Sequence, residues 1–414
     1  MSTVYWVGNA AAAAQVNTHT ISGGNGSSTF TVTIGGVSIS VVWATSDNAT
    51  ASALQALLAA STHPYFSAIT WTVGTNIITG TAKTAGVPFI STSAQSGGTG
   101  TFVAATTTAS AGPNDWSTAA NWSGGVVPTN GDDVVIRDSS NNILWGLGQS
   151  AIALNSLRIF KSFTGKLGLD WAVFATVSDG TTTTARKEYR STYLQIGTSS
   201  LRIGENFSSA TQTGSSRINI DLGSATACVV EVFGTAASSS ESGRPAVKII
   251  GTNANHFLYV RKATGGVGIA IDVPGETSTF NTVSVSDTTT DSKVFTGTGL
   301  TLTTWYQDGG VNICQAAGTI TTITVNGGTL NYEGTTACTT VNVVSGTFYP
   351  NSSGTITTLN AKGGVTDATQ SNRARTWTTF NLYAGATVNV DMSVVTIGTF
   401  AVNNTKPQSI TAAS

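Results

Sequence analysis

Charge is what this chain has least of. Only 9% of its 414 residues are Asp, Glu, Lys or Arg, the formal net charge is −1, and no Lys or Arg occurs before Lys83. A nucleic-acid binder needs a basic stripe able to neutralise several phosphates. Here the basic residues form three short clusters (Arg186, Lys187 and Arg190; Arg261 and Lys262; Arg373 and Arg375), which read as solvated surface. No nucleic-acid partner is expected. Cysteine is scarce as well: Cys228, Cys314 and Cys338 are too scattered for a disulfide framework or a C-x-x-C metal site, and read as small buried apolar residues. His19, His63 and His256 form no zinc-binding cluster. No apolar run reaches the roughly 18 residues of a membrane-crossing helix, so no membrane partner is expected. The first residues carry neither the positive nor the apolar region of a secretory signal, so none is expected.

What is present is Gly, 46 residues of it, much Thr and Ser, and 40% apolar residues at regular spacing. That apolar content separates the chain from a disordered low-complexity polymer. Its clearest regularity is a repeat. Leu302-Thr-Thr-Trp305, Ile320-Thr-Thr-Ile323, Cys338-Thr-Thr-Val341, Ile356-Thr-Thr-Leu359 and Trp377-Thr-Thr-Phe380 start 18, 18, 18 and 21 residues apart.

Gln307, Val325, Val343, Ala361 and Leu382 follow two positions later, with Tyr306, Thr324, Asn342, Asn360 and Asn381 between, which is the period-two pattern of a half-buried strand. Every copy then has a Gly, at 310, 328, 346, 364 and 385, suited to a positive φ at the corner. The fold class is therefore mainly β: a parallel β-helix of 18-residue coils, leaning right-handed because the hexapeptide spacing of left-handed solenoids is missing. Five coils would span about 24 Å, and a wholly regular stretch over 112–414 about 80 Å, less wherever loops intervene. Leu154-Asn-Ser-Leu157-Arg-Ile159 and Phe280-Asn-Thr-Val283-Ser-Val285 extend looser coils back to about residue 130, and the polar segments starting at Asp179 and Thr235 read as protruding loops.

The first third reads differently. Phe30–Ile34 and Val37–Trp43 alternate around Gly35-Gly36, Ser46 offers an N-cap to a helix over 49–60, and Ile69–Val73 with Ile77–Ala82 gives a second hairpin. A Gly/Thr/Ala-rich connector is expected over 91–112. The domains are thus 1–16, the first strand of a solenoid cap; 17–111, an inserted β-β-α-β-β domain with its connector; 112–300, cap and irregular solenoid; and 301–414, regular coils and a C-terminal cap.

Two resemblances arise from these residues. The segment from Phe30 to Phe89, with Val32-Thr-Ile34-Gly-Gly, the helix, and the ending Thr81-Ala-Lys-Thr-Ala-Gly86-Val-Pro-Phe89, resembles a small β-β-α-β-β module of tailed-bacteriophage structural proteins. Tyr5-Trp6-Val7-Gly8-Asn9 looks like the opening of a motif found where β-solenoids of bacterial and phage surface proteins begin. The continuation stands at Trp116, Asn121-Trp122-Ser123, Pro128 and Gly131-Asp132-Asp133. The split implies that the module is inserted into the cap and that the strand Val4 to Val7 lies beside 116–136.

The resemblance implies a non-enzymatic virion structural protein, a capsid decoration protein, head fibre or tail fibre, located in the virion. Its partners would be other virion proteins and copies of itself, most simply as a homotrimer. One alternative is a receptor-binding tailspike that binds or depolymerises host surface polysaccharide, and another is a bacterial surface adhesin.

Glycoside cleavage needs two carboxylates about 5 to 9.5 Å apart. Asp287, Asp291 and Asp308, with spacings of 21 and 17 residues near the coil period, are the residues to examine, and they read first as turn residues. Asp132-Asp133 lacks the rest of a calcium loop and reads as a turn. Trp305 and Trp377 fall in core columns, and Trp6, Trp116 and Trp122 suit the cap, with an exposed aromatic shelf for sugars as the other reading. No catalytic residue, cofactor or metal site is expected.

Overall fold

The computed structural model describes residues 2–168, 170–178, 183–206, 212–240, 243–271, 276–287, 291–403 and 409–413; for 170–178, 183–191 and 409–413 only the backbone is described. The chain is mainly β, and among the described residues the parallel strands of one large sheet wrap nearly closed round one axis as a β-solenoid. Its first layers are β1 (Thr3–Tyr5), then β9 (Asp133–Ile136), β10 (Gly148–Phe160) and β13 (Leu194–Glu205). Between β10 and β13 an antiparallel hairpin leaves the wall, made of β11 (Asp170–Ser178) and β12 (Thr183–Ser191). Of the polar segment starting at Asp179, residues 179–182 lie outside the described residues, and Thr183 and Thr184 belong to β12.

One inward column runs the length of the wall. Val4, Val134, Leu157, Leu201, Val230, Leu258, Val283, Trp305, Ile323, Val341, Leu359, Phe380 and Phe400 pair successively in parallel register. Its twelve intervals make about 58 Å at the usual strand spacing, shorter than the regular-coil figure because the hairpin and loops consume chain without adding layers. All these side chains are buried except the last: Phe380 is 1% exposed and Phe400, the last of the column among the described residues, 47%.

Outside this column lie two polar ones. Thr282, Thr304, Thr322, Thr340, Thr358, Thr379 and Thr399 share one register position. In the other, the Asn360 amide donates to Asn342 at 3.0 Å and Asn381 to Asn360 at 2.8 Å. Ladder hydrogen bonds fix the coils, and the Asn chain ties three of them a second time.

The repeated glycines stand at the corners with φ from 63° to 90°. A Cβ at Gly346 would lie 2.5 Å from the Gly328 carbonyl oxygen, which itself accepts from Thr347 N at 2.8 Å. Conformation and space both demand Gly there. The 21-residue interval holds an exception to the surface reading of the basic clusters. Arg375 is buried, and its guanidinium donates to the carbonyls of Pro350, Ala368 and Ser371 at 2.6 to 2.9 Å, stitching the longer loop to the wall. A side chain with five donors can satisfy several loop carbonyls at once, which outweighs its preference for water.

The insert is richer than expected. β2 (Val16–Ser22), β3 (Thr29–Ile34), β4 (Val37–Val42), α1 (Asp47–Ala60), the single turn α2 (Pro64–Ser67), β5 (Ile69–Gly74), β6 (Ile77–Ala82), β7 (Ser91–Ser96) and β8 (Thr101–Thr108) form two sheets, ordered β5-β6-β2-β8 and β4-β3-β7. The stretch over 91–112 is therefore no connector: most of it forms β7 and β8. Ser46 caps α1 by accepting from Ala49 N, and Leu54 and Leu58 turn onto Phe30, Val32, Phe66 and Trp71. The neck of the insert is the bridge between Ala13 and Ala111.

Candidate functional site

The two halves of the split motif meet. β1 pairs with β9 in parallel, Thr3 opposite Asp133, and Trp6 bridges Trp122 antiparallel. Within Asn121-Trp122-Ser123 each residue ties the N-terminal segment to the cap in its own way. The buried Asn121 accepts from Ala10 N at 2.9 Å and donates to the carbonyls of Gly112 and Asp115 at 2.7 and 2.8 Å. Trp122 packs edge-on against Trp6 and Trp116, centroids 5.1 and 4.6 Å apart, and its indole N–H donates to the Trp116 carbonyl. Ser123 accepts from Tyr5 N at 2.9 Å.

Asp132 closes the same cap. Its carboxylate accepts from the Thr129 amide and hydroxyl at 2.9 Å and from the Ser2 hydroxyl and amide at 2.7 and 3.1 Å. The Thr129 amide first, then the Ser2 hydroxyl, holds its pKa down at about 2. Asp133 instead accepts from Asn155 at 2.7 Å and from Ser156. The pair is a turn and a clasp. Among the described residues no three His, Cys, Asp or Glu side chains group as metal ligands.

The three examined carboxylates have separate occupations. Asp287 is buried and accepts from Ser292. Asp291 faces Lys262 at 3.8 Å. Asp308 is exposed and accepts from Asn326 at 2.9 Å, one coil along. Trp305 and Trp377 are buried in their columns, and with the three cap tryptophans also buried, none of the five forms an aromatic shelf. All three cysteines are free and buried, and burial pushes the Cys228 and Cys338 thiols up to about 12, away from reactivity.

Charge gathers on one stretch of the wall: Arg158, Glu205, Arg202, Glu231 and Arg261 form a continuous chain of ion pairs 2.6 to 3.5 Å long. Arg158 and Arg202 lie over Phe160 and Phe233, each 4.8 Å from the ring centre. Three guanidinium groups share two carboxylates, and the ladder stitches successive coils.

The concave feature sits where insert and cap meet. A cleft of about 540 Å³, in the range of ordinary ligand sites, is walled by Tyr65, Ile69, Val87, Pro88, Phe89 and Ile90 of the insert and by Trp145 of the solenoid cap. Gly35, at φ 58°, makes it possible: a Cβ there would fall 2.3 Å from the Tyr65 ring. The segment Gly86-Val-Pro-Phe89 is held in place by Gly86 N donating to the Ala13 carbonyl at 3.0 Å and Phe89 N to Gln15 Oε1 at 3.1 Å. Ile90, on the rim, is 79% exposed. The lining is almost wholly apolar, with Tyr65 its single titratable side chain. Such a recess can bind apolar groups but offers no acid–base pair.

The segment Thr81 to Phe89 carried the one sequence signal for this cleft; Tyr65 and Trp145 had none. No family model, no curated protein and no solved structure matches the chain.

Proposed function

We propose that the chain is a non-enzymatic structural protein on the surface of a tailed-bacteriophage virion, a capsid decoration protein, head fibre or tail fibre. The solenoid acts as a rigid spacer, and the insert with the cap is the attachment end. The cleft supports this reading most directly. It is a preformed apolar recess at the junction of insert and cap, walled by the segment that carries the resemblance to phage modules, and it suits the apolar anchor of another virion protein. The stacked Thr column and the Asn column, the latter bonded from coil to coil, support the spacer role.

Immunogold labelling of purified particles tests the assignment. Label over the head indicates decoration and label confined to the tail indicates a fibre, while absence from particles overturns both. Particles assembled with Trp145→Ala or Ile90→Asp should carry markedly less of the protein. Oligosaccharide released from host surface glycan, and no longer released once Asp287, Asp291 and Asp308 are replaced, would make the protein a depolymerase instead.

A further inference from the structure

The two sheets of the insert have four outer strands, and three of them are tied by several side chains to other elements of the insert. The Trp71 carbonyl of β5 accepts from Gln55 of α1 at 2.8 Å. Val37, Ile39 and Val41 of β4 pack against the core. Ser91 and Ser93 of β7 meet Asn17 and His19 of β2 at 2.9 and 2.7 Å. Among the described residues β8 is the least anchored, with Phe102 alone packing into the core. It pairs with β2 along one side, and every residue from Val103 to Thr108 is exposed, Val103 at 58%. Its sequence, Thr-Phe-Val-Ala-Ala-Thr-Thr-Thr, has no charge and no Pro. Edge strands are normally blunted by such residues, because their free N–H and C=O groups recruit another strand. The register shift that leaves Thr107 unpaired comes only near the end, so 101–106 is a regular edge.

We propose that β8 pairs with β8 of a second copy of this chain, antiparallel about a two-fold axis through Ala104, joining the two β5-β6-β2-β8 sheets into one. A two-fold axis normal to the sheet keeps each side chain on its own face, so opposed residues differ by an even number. Centring on Ala104 sets Ala104 against itself, Val103 against Ala105 and Phe102 against Thr106. Each large residue meets a small one, the smallest sits on the axis, and no like charges meet. A foreign strand could use the same backbone groups, but this sequence is complementary to its own reverse.

Light scattering on the full chain should give twice the 42.2 kDa mass. Ala104→Lys places two ammonium groups on the axis and should weaken association at least about tenfold, with an unchanged circular dichroism spectrum. Register is read by oxidation, since the native cysteines are buried. Ala104→Cys should cross-link, as directly opposed Cα atoms lie about 4.5 to 5.5 Å apart. Val103→Cys should not, its two copies being diagonal and about 8 Å apart. A single-chain mass at the highest soluble concentration, a trimer, a dimer indifferent to Ala104→Lys, or cross-linking by Val103→Cys but not by Ala104→Cys would each overturn the proposal.

Discussion

Asn121 holds three backbone groups where the chain leaves the solenoid and where it returns. Truncation leaves an amide and two carbonyls buried without partners, so Asn121→Ala should cost about 3 kcal/mol, measured by guanidinium unfolding. His19 is the residue that links the insert to pH. Its ring is fully buried, with Nδ1 2.7 Å from the Ser93 hydroxyl, and burial lowers its pKa from 6.5 to about 4. Between those values the unfolded ring binds a proton and the folded ring does not. Stability is therefore complete above pH 6.5 and declines as pH falls toward 4, by about 3 kcal/mol in all. Amide exchange of the insert followed across that window should show the loss, and His19→Gln should flatten it.

At the level of strands, what could be read from the sequence depended on which side chains the strand buries. The solenoid walls alternate because each strand puts Ile, Val, Leu or Phe inside and Thr or Asn outside, so the repeat from Leu302 to Leu382 was legible in column and corner alike. β7 and β8 were not. The inward residues of β7 are serines that serve Asn17 and His19, and β8 buries Phe102 alone, so neither shows apolar alternation. The cleft was half legible, because its wall lies in one segment while Trp145 comes from a loop far along the chain. Arg375 was misread because short-range pattern does not report the loop carbonyls around it. Within a coil, Leu359→Ala should cost about 3 kcal/mol by opening a cavity in a closed column, and Gly346→Ala about 2 kcal/mol or more through φ and the Gly328 carbonyl. Exposed Thr357→Ala should stay within about 0.5 kcal/mol. Thermal unfolding of the three variants would rank them.

For the whole molecule, protection should follow the stacking. Strands with a neighbour on both sides, from β10 through Arg375–Leu382, should exchange their amides as one slow unit. Among the described residues Val395–Val402 pairs on one side only, and Phe400 lies open, so alternate amides of this strand should exchange much faster. Hydrogen exchange with mass spectrometry would separate the two classes. Equal protection throughout would mean that something covers that end.

The clasp between β1 and β9 also dictates an order of events during synthesis. Thr3 leaves the ribosome on the order of ten seconds before Asp133 does. The first strand therefore waits without a partner while the insert, whose own strands and helix are all translated in that interval, has time to fold. Once Asn121 and Asp133 emerge, the waiting strand becomes a template. Each later coil is then made in the order in which it stacks, so the solenoid can grow at the pace of translation from a foundation laid by the first few residues.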